Sequence, residues 1–229
     1  DKEPLDVHTG MSFKRILWRY LNMTVIPRKK HVATLWPDSD AADLEFFDHV
    51  ITRATNFAQG FMVSEGHVTL GVDKANQLLR VQRQNLMREL GIIEVTLRII
   101  NRLKPTTEMF DHSVARKTPL NDSDQALLEF GNNILTKCLS LIYYCLLENY
   151  SNQMLVADYL PDLLAHLSTQ PLAGKCVTSM LGANMDLQEE KIDKEVLNIF
   201  VDKLKKTPMS RMYFNLLQSC CSCQGQGVD

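Results

Sequence analysis

Apolar side chains along this chain recur at spacings of three and four, the period of an α-helix with one buried face. Phe13, Ile16, Leu17, Tyr20 and Leu21 follow that period over residues 11–24. Leu44, Phe47, Val50, Ile51, Ala54 and Phe57 follow it from about Asp40 to Met62, and Ser64-Glu65-Gly66 closes that segment. Between the two lies a looser stretch with Pro27, Arg28-Lys29-Lys30 and Pro37. A further helix is expected over about 72–89, ended by Gly91, because glycine adopts the left-handed conformation that stops helices without steric penalty.

Ile92, Val95, Leu97, Ile99, Ile100 and Leu103 then form a helix apolar around most of its girth, which needs neighbours on more than one side. Pro105 is expected to stop it. Residues 104–123 carry two prolines, several charges and little periodicity, and read as an exposed loop. The longest helix is expected from Asp124 to about Asn149, with Gly131 as its weak point, since an interior glycine costs about 1 kcal/mol. Ser151 is the expected cap of the next helix, and Pro161 fits the first turn of the one after, where a missing N–H does no harm. Asp186-Leu187-Gln188-Glu189 has the order of a capping box and opens the region of Val196, Ile199, Phe200 and Leu204. Thr207-Pro208 reads as a cap and first-turn proline before a last helix, and Gly225 and Gly227 as a flexible end. The pattern predicts nine or ten helices and no strand, and hence stacked antiparallel helix pairs.

Two segments share one design. Arg83–Leu97 and Ser151–Leu167 are both helix–break–helix, and Leu86/Met154, Met87/Leu155, Ile92/Leu160, Val95/Leu163 and Ile99/Leu167 agree in apolar character. Their offset of 68 residues exceeds an armadillo or HEAT unit of about 40–47, and the 104–123 loop accounts for most of the excess. Lys194–Leu217 is a weaker third unit. Repeat proteins of this kind bind partners.

A net charge of −2 argues against nucleic acid or an anionic membrane as the partner of the whole surface. No run of about 18 uncharged apolar residues is present, so these residues do not cross a bilayer. Asp1 is no initiator methionine, and an excised piece of a longer protein is expected. The six cysteines fall mostly in apolar helical patterns, which favours buried reduced thiols and the cytosol. Cys220-Cys221-Ser222-Cys223 lacks paired Cys-x-x-Cys spacing and a neighbouring histidine, so zinc is not expected there. His8, His31, His49, His67, His112 and His166 contain no metal-spaced pair, and no nucleophile, base and anion stabiliser can be assembled. No catalytic residue, metal or cofactor is expected.

Two landmarks carry a family resemblance. Arg83-Gln84-Asn85-Leu86-Met87-Arg88, followed by Ile99-Ile100-Asn101-Arg102-Leu103, resembles the opening of the homology domain shared by ryanodine and inositol-trisphosphate receptors. Leu216-Leu217-Gln218-Ser219-Cys220-Cys221-Ser222-Cys223-Gln224-Gly225 is similar to that domain's Leu/Cys-rich end. The resemblance covers about residues 75–227 and divides the chain into an N-terminal helical segment, 1–70, packing on a homology domain, 71–229. It implies an all-α, armadillo-like helical solenoid in the cytosolic part of an endoplasmic reticulum calcium-release channel. Its partners would be the neighbouring domains and subunits of a homotetramer, and it would relay ligand binding or interdomain signals toward the pore. The alternative from a different class is a soluble armadillo-like adaptor for peptides or partner helices.

The resemblance also brings inositol phosphate into view as a ligand. Arg80, Arg83, Arg88, Arg98, Arg102 and Lys104 against Glu89 and Glu94 give residues 80–104 a local charge of six minus two, +4. Yet on a straight helix Arg83 and Arg88 point about 140° apart. The ligand-binding receptors carry Arg-x-x-x-Lys-x-x-Arg where this chain has Val81, Asn85 and Arg88, and a Tyr-Arg-Lys cluster where it has Tyr150-Ser151-Asn152. Asn85 matches the ryanodine-receptor version. Arg88 is the one phosphate-contact candidate that the resemblance carries over, and the case for inositol phosphate is weak.

Overall fold

The computed structural model describes residues 4–23, 41–60, 74–117, 119–182, 184–206, 211–223 and 226–227. Twelve helices run through them: α1 Pro4–Met23, α2 Ala41–Ala58, α3 Lys74–Glu89, α4 Ile92–Arg102, α5 Lys104–Arg116, α6 Asp122–Leu146, α7 Tyr150–Ala157, α8 Leu160–Ala165, α9 Pro171–Leu181, α10 Met185–Lys191, α11 Lys194–Lys206 and α12 Arg211–Cys221. The strands β1, Ser222–Cys223, and β2, Gln226–Gly227, pair antiparallel as a two-residue hairpin, a small addition to an all-α fold in which no strand was predicted. The Arg28-Lys29-Lys30, Ser64-Glu65-Gly66 and Thr207-Pro208 features lie outside the described residues.

The helices stack in three ladders. α2, α6, α9 and α12 pack in that order along one, α3, α7 and α10 along a second, and α1, α4 and α8 along a third. Elements separated by one repeat are therefore spatial neighbours, as expected of an armadillo-like stack. The packed pairs α3/α4, α8/α9 and α11/α12 each belong to a unit of three helices. α7–α8–α9 and α10–α11–α12 are two such units, and α3–α4–α6 is a third with α5 inserted. The predicted third unit, Lys194–Leu217, is the later part of α10–α12.

α4 occupies the interior. Ile92, Ile93, Leu97, Ile99 and Ile100 are completely buried, and α1, α3, α5, α6 and α8 all touch the helix. Each such side chain contributes about 1.5–3 kcal/mol relative to exposure, which makes α4 the main apolar anchor of the fold. Gly91 adopts φ 72°, ψ 21° and its N–H donates to Arg88 O at 2.8 Å, closing α3 as α4 begins.

The 104–123 loop is a correction. α5 fills most of it and runs to Arg116. Pro105 is the second residue of α5, where its missing N–H breaks no helical bond, so it starts a helix as α4 ends. The 68-residue offset therefore reflects this inserted helix and the length of α6, 25 residues against 11 in α9.

Two caps also fall elsewhere than predicted, and a third stands just before the expected start of α6. Asn121, Asn149 and Asn184 cap α6, α7 and α10 by accepting from the N–H of Asp124, Asn152 and Leu187. Ser151 and Asp186 are inside the first turns, and Asp193 accepts from Val196 N at 2.8 Å at the start of α11. In α7 and α10 the capping asparagine stands two residues before the serine or aspartate that drew attention. α6 runs unbroken through Gly131, while Pro161 stands in the first turn of α8 as expected.

His166 is fully buried and joins three helices. Its Nε2 lies 3.0 Å from Ile100 O of α4 and its Nδ1 2.8 Å from Thr107 Oγ1 of α5. The carbonyl can only accept, so Nε2 carries the proton and Nδ1 accepts from the threonine hydroxyl. Burial pushes this histidine down from 6.5 to about 4, with Lys104 acting in the same direction and Asp162 against it. Cys138, Cys145 and Cys176 are buried free thiols, and burial pushes Cys138 and Cys145 up to about 12.

Two predictions follow from these features. Gly91→Ala forces a side chain into the left-handed region and is expected to lower unfolding free energy by about 1 kcal/mol in urea titrations. His166 is protonated more readily unfolded than folded, so its contribution is intact above about pH 6.5 and declines as pH falls toward 4. The full loss is about 3 kcal/mol. In His166→Gln, whose amide can keep both bonds, the pH dependence of stability between those values should shrink by about that amount.

Candidate functional site

The one carried-over candidate, Arg88, lies where α3 meets the break between α6 and α7. A helix ending here leaves carbonyls without intrahelical partners, and burial prevents water from satisfying them. Side-chain amides do so instead. Asn152 Nδ2 donates to Cys145 O at 2.8 Å and to Gln84 O at 3.3 Å. Gln84 Nε2 donates to Tyr144 O at 2.7 Å and Leu147 O at 3.3 Å, and Gln153 Nε2 to Leu146 O at 3.1 Å. Asn149 Nδ2 donates to Gln84 Oε1 and Asn85 Oδ1, each at 3.1 Å. Gln84, Asn149, Asn152 and Gln153 are all buried.

Arg88 completes this network. Its Nη1 donates to Asn85 Oδ1 at 2.8 Å and to Asn152 Oδ1 at 2.7 Å. At the other end Arg80 ion-pairs with Glu148, which also accepts from Gln77 Nε2 at 3.1 Å. Glu148 has φ 54°, a left-handed conformation that costs a non-glycine residue of order 1–3 kcal/mol. Thus α3 grips the strained turn from both sides.

The six cations of residues 80–104 do not converge. Arg80 pairs with Glu148, Arg83 is buried with its guanidinium 4.6 Å from the Phe57 ring centroid, and Arg98 lies 5.8 Å from that of Trp18. Lys104 pairs with Asp162 of α8, and Arg102 is also engaged with its neighbours. All six are engaged by neighbouring groups, so the local +4 is not a free basic face. Tyr150 is 53% exposed, and its hydroxyl donates to Asp186 Oδ2 at 2.7 Å; that bond raises the phenol above its usual range.

The same device recurs at the next break. Asn184 caps α10 and Gln188 Nε2 donates back to Leu181 O at 2.6 Å, as Asn149 caps α7 and Gln153 donates to Leu146 O. Both the Asn pair and the Gln pair are 35 residues apart. That Asn-x-x-x-Gln repeat was readable in the sequence and was missed beside the longer 68-residue match.

A protein-family model described as the RIH domain, the homology domain of ryanodine and inositol-trisphosphate receptors, matches residues 62–229, close to three quarters of the chain. The chain belongs to the RIH-domain family. No curated protein matches it significantly. The RIH match takes in all of α3–α12 and the amide network, and the family implies a domain of calcium channels of the ryanodine and inositol-trisphosphate receptor type. Among the described residues, no helix of this RIH domain is long and apolar enough to cross a membrane, and no group of three or more His, Cys, Asp or Glu could hold a metal.

Asn152→Ala removes donors to two buried carbonyls and an acceptor for Arg88. The expected destabilisation is about 2–3 kcal/mol, measured by urea unfolding at neutral pH. Asn133→Ala, at an exposed position of α6, should change stability by less than about 0.5 kcal/mol.

Proposed function

We propose that this RIH domain is a non-enzymatic regulatory module in the cytosolic part of an endoplasmic reticulum calcium-release channel. In this reading it works within a homotetramer, carrying a displacement from a ligand-bound or neighbouring domain toward the pore. The amide network supports the reading. It ties α3 of one unit to α7 of the next through buried bonds at the unit boundary, so a shift of α3 is carried into the following unit. Stacked rigid units with bonded boundaries favour movement as bodies and a population shift between discrete arrangements.

Arg88 serves this role as the bond between α3 and α7. A phosphate contact is a second role for the same residue, supported by its match to the last basic position of the ligand-binding pattern and by its partly exposed position. Two of the three basic positions of that pattern are Val81 and Asn85, so any inositol-phosphate site would depend on cations from a neighbouring domain.

Arg88→Gln in the full-length channel separates the roles. The relay predicts that half-maximal calcium release shifts by about fivefold or more while equilibrium binding of inositol trisphosphate is unchanged. Weakened binding in step with release would assign Arg88 to the ligand. Unchanged binding and unchanged release would refute both.

A further inference from the structure

We propose that the cleft between α9 and α12 is a binding site for a soluble organic phosphate monoester. It lies apart from the amide network, and it encloses about 500 Å³, within the range of small-molecule pockets. α9 contributes one face from Pro171 to Ser179 and α12 its N-terminal part from Arg211 to Asn215, with Tyr143 of α6 closing the side.

Six polar side chains face this space: Tyr143, Lys175, Thr178, Ser179, Arg211 and Asn215. None of them hydrogen-bonds or ion-pairs with another group among the described residues. The described lining holds two cations and no carboxylate, on a chain whose net charge is −2. This sets the cleft apart from the 80–104 cations, each of which is held by a neighbouring group. It also differs from the groove between α8 and α11, where Asp158 and Glu190 pair with Lys191 and Asp193 caps α11.

The chemistry selects the ligand. Two cations match the charge of a phosphate monoester near neutral pH, and a carboxylate would neutralise only one. Arg211 can bind two phosphate oxygens with its planar fork, while Lys175 supplies a point charge. The hydroxyls and the Asn215 amide provide donors for the remaining oxygen and acceptors for a polar body. Pro171 and Met212 form an apolar wall for the carbon part of the ligand, and methionine adapts readily to irregular shapes.

The two helices pack closely where the cleft meets them. Gly174 of α9 lies against Met212 so tightly that an added Cβ would collide with the thioether, and Gly182 approaches Ser219 farther along both helices. α9 and α12 therefore run parallel, and the positive ends of both helix dipoles lie on the same side as Lys175 and Arg211. Tyr143 is braced by Tyr144, ring centroids 5.3 Å apart.

Phenyl phosphate carries the proposed anion on an apolar ring and serves as the probe, titrated into the whole chain by calorimetry. Saturable one-site binding is expected, tighter than for inorganic phosphate and absent for phenol. The double variant Lys175→Gln/Arg211→Gln should weaken it about tenfold or more. Both side chains are exposed, so an unchanged melting temperature checks that the variant folds. Lys205→Gln, at an exposed cation elsewhere, should bind as the parent does. Absence of phenyl phosphate binding, or equal binding by the double variant, overturns the proposal. Capture by vesicles containing phosphatidic acid without binding of phenyl phosphate also overturns it, because the anion site would then belong to a membrane surface.

Discussion

The fold depends on one constraint, the need to satisfy backbone carbonyls at buried helix breaks. Between α6 and α7 the chain turns inside the stack, where an unpaired carbonyl would cost about 1–3 kcal/mol. Asn149, Asn152, Gln84 and Gln153 each give an amide donor to this region. The bonds that satisfy the break also fix the direction in which the next unit leaves. Gln188 does the same between α9 and α10 and reaches Ser219 O at 2.7 Å as well, tying the last helix to the same point. Apolar burial supplies the bulk of the stability. The amides tie one unit to the next at its boundary.

Much of the fold was legible because apolar periodicity is dense. The helices around Phe47–Phe57, Ile92–Leu103 and Ile134–Leu146 bury the residues that their spacing selects. Gly91 was legible because its conformation is one that few other residues tolerate. α5 was not, since its prediction turned on reading Pro105 as a stop. Proline interrupts a helix interior yet is harmless in a first turn, and sequence alone leaves its register open. α5 is further held by polar contacts, Lys104 to Asp162 and Thr107 to His166, which produce no apolar stripe. The caps were missed for a related reason: Ser151 and Asp186 are good cap types, but the asparagines two residues earlier hold the cap position.

For the candidate site, residue identity was legible and residue partnership was not. Six cations in 25 positions suggest an anion site, and helical geometry already argued against one patch. Arg80, Arg88 and Lys104 find partners 58–68 residues away, in Glu148, Asn152 and Asp162. Such long-range pairing has no local signature. One of the two departures from the ligand-binding pattern, Asn85, makes sense in this setting. Asn85 stands where the pattern has lysine, and it accepts from both Arg88 and Asn149. A lysine there has no acceptor and would place a second cation beside Arg88. The amide network and the ligand's basic row therefore compete for the same face of α3, and this chain holds the network.

That exchange bears on how a displacement would travel. Close-packed interiors compress little, so in the proposed relay α3 and α4 on one side and α7 and α8 on the other would move as bodies. The turn between α6 and α7 is the weak element between them, because Glu148 is held at φ 54°. Its conformation persists through contacts from α3, namely Arg80 and Gln77. In the proposed relay, a movement of α3 that released Glu148 would let the turn relax toward negative φ and so redirect α7. Strain held by one unit and relieved in the next is a physical means of coupling them. It needs no ligand at Arg88 itself, only a force on α3.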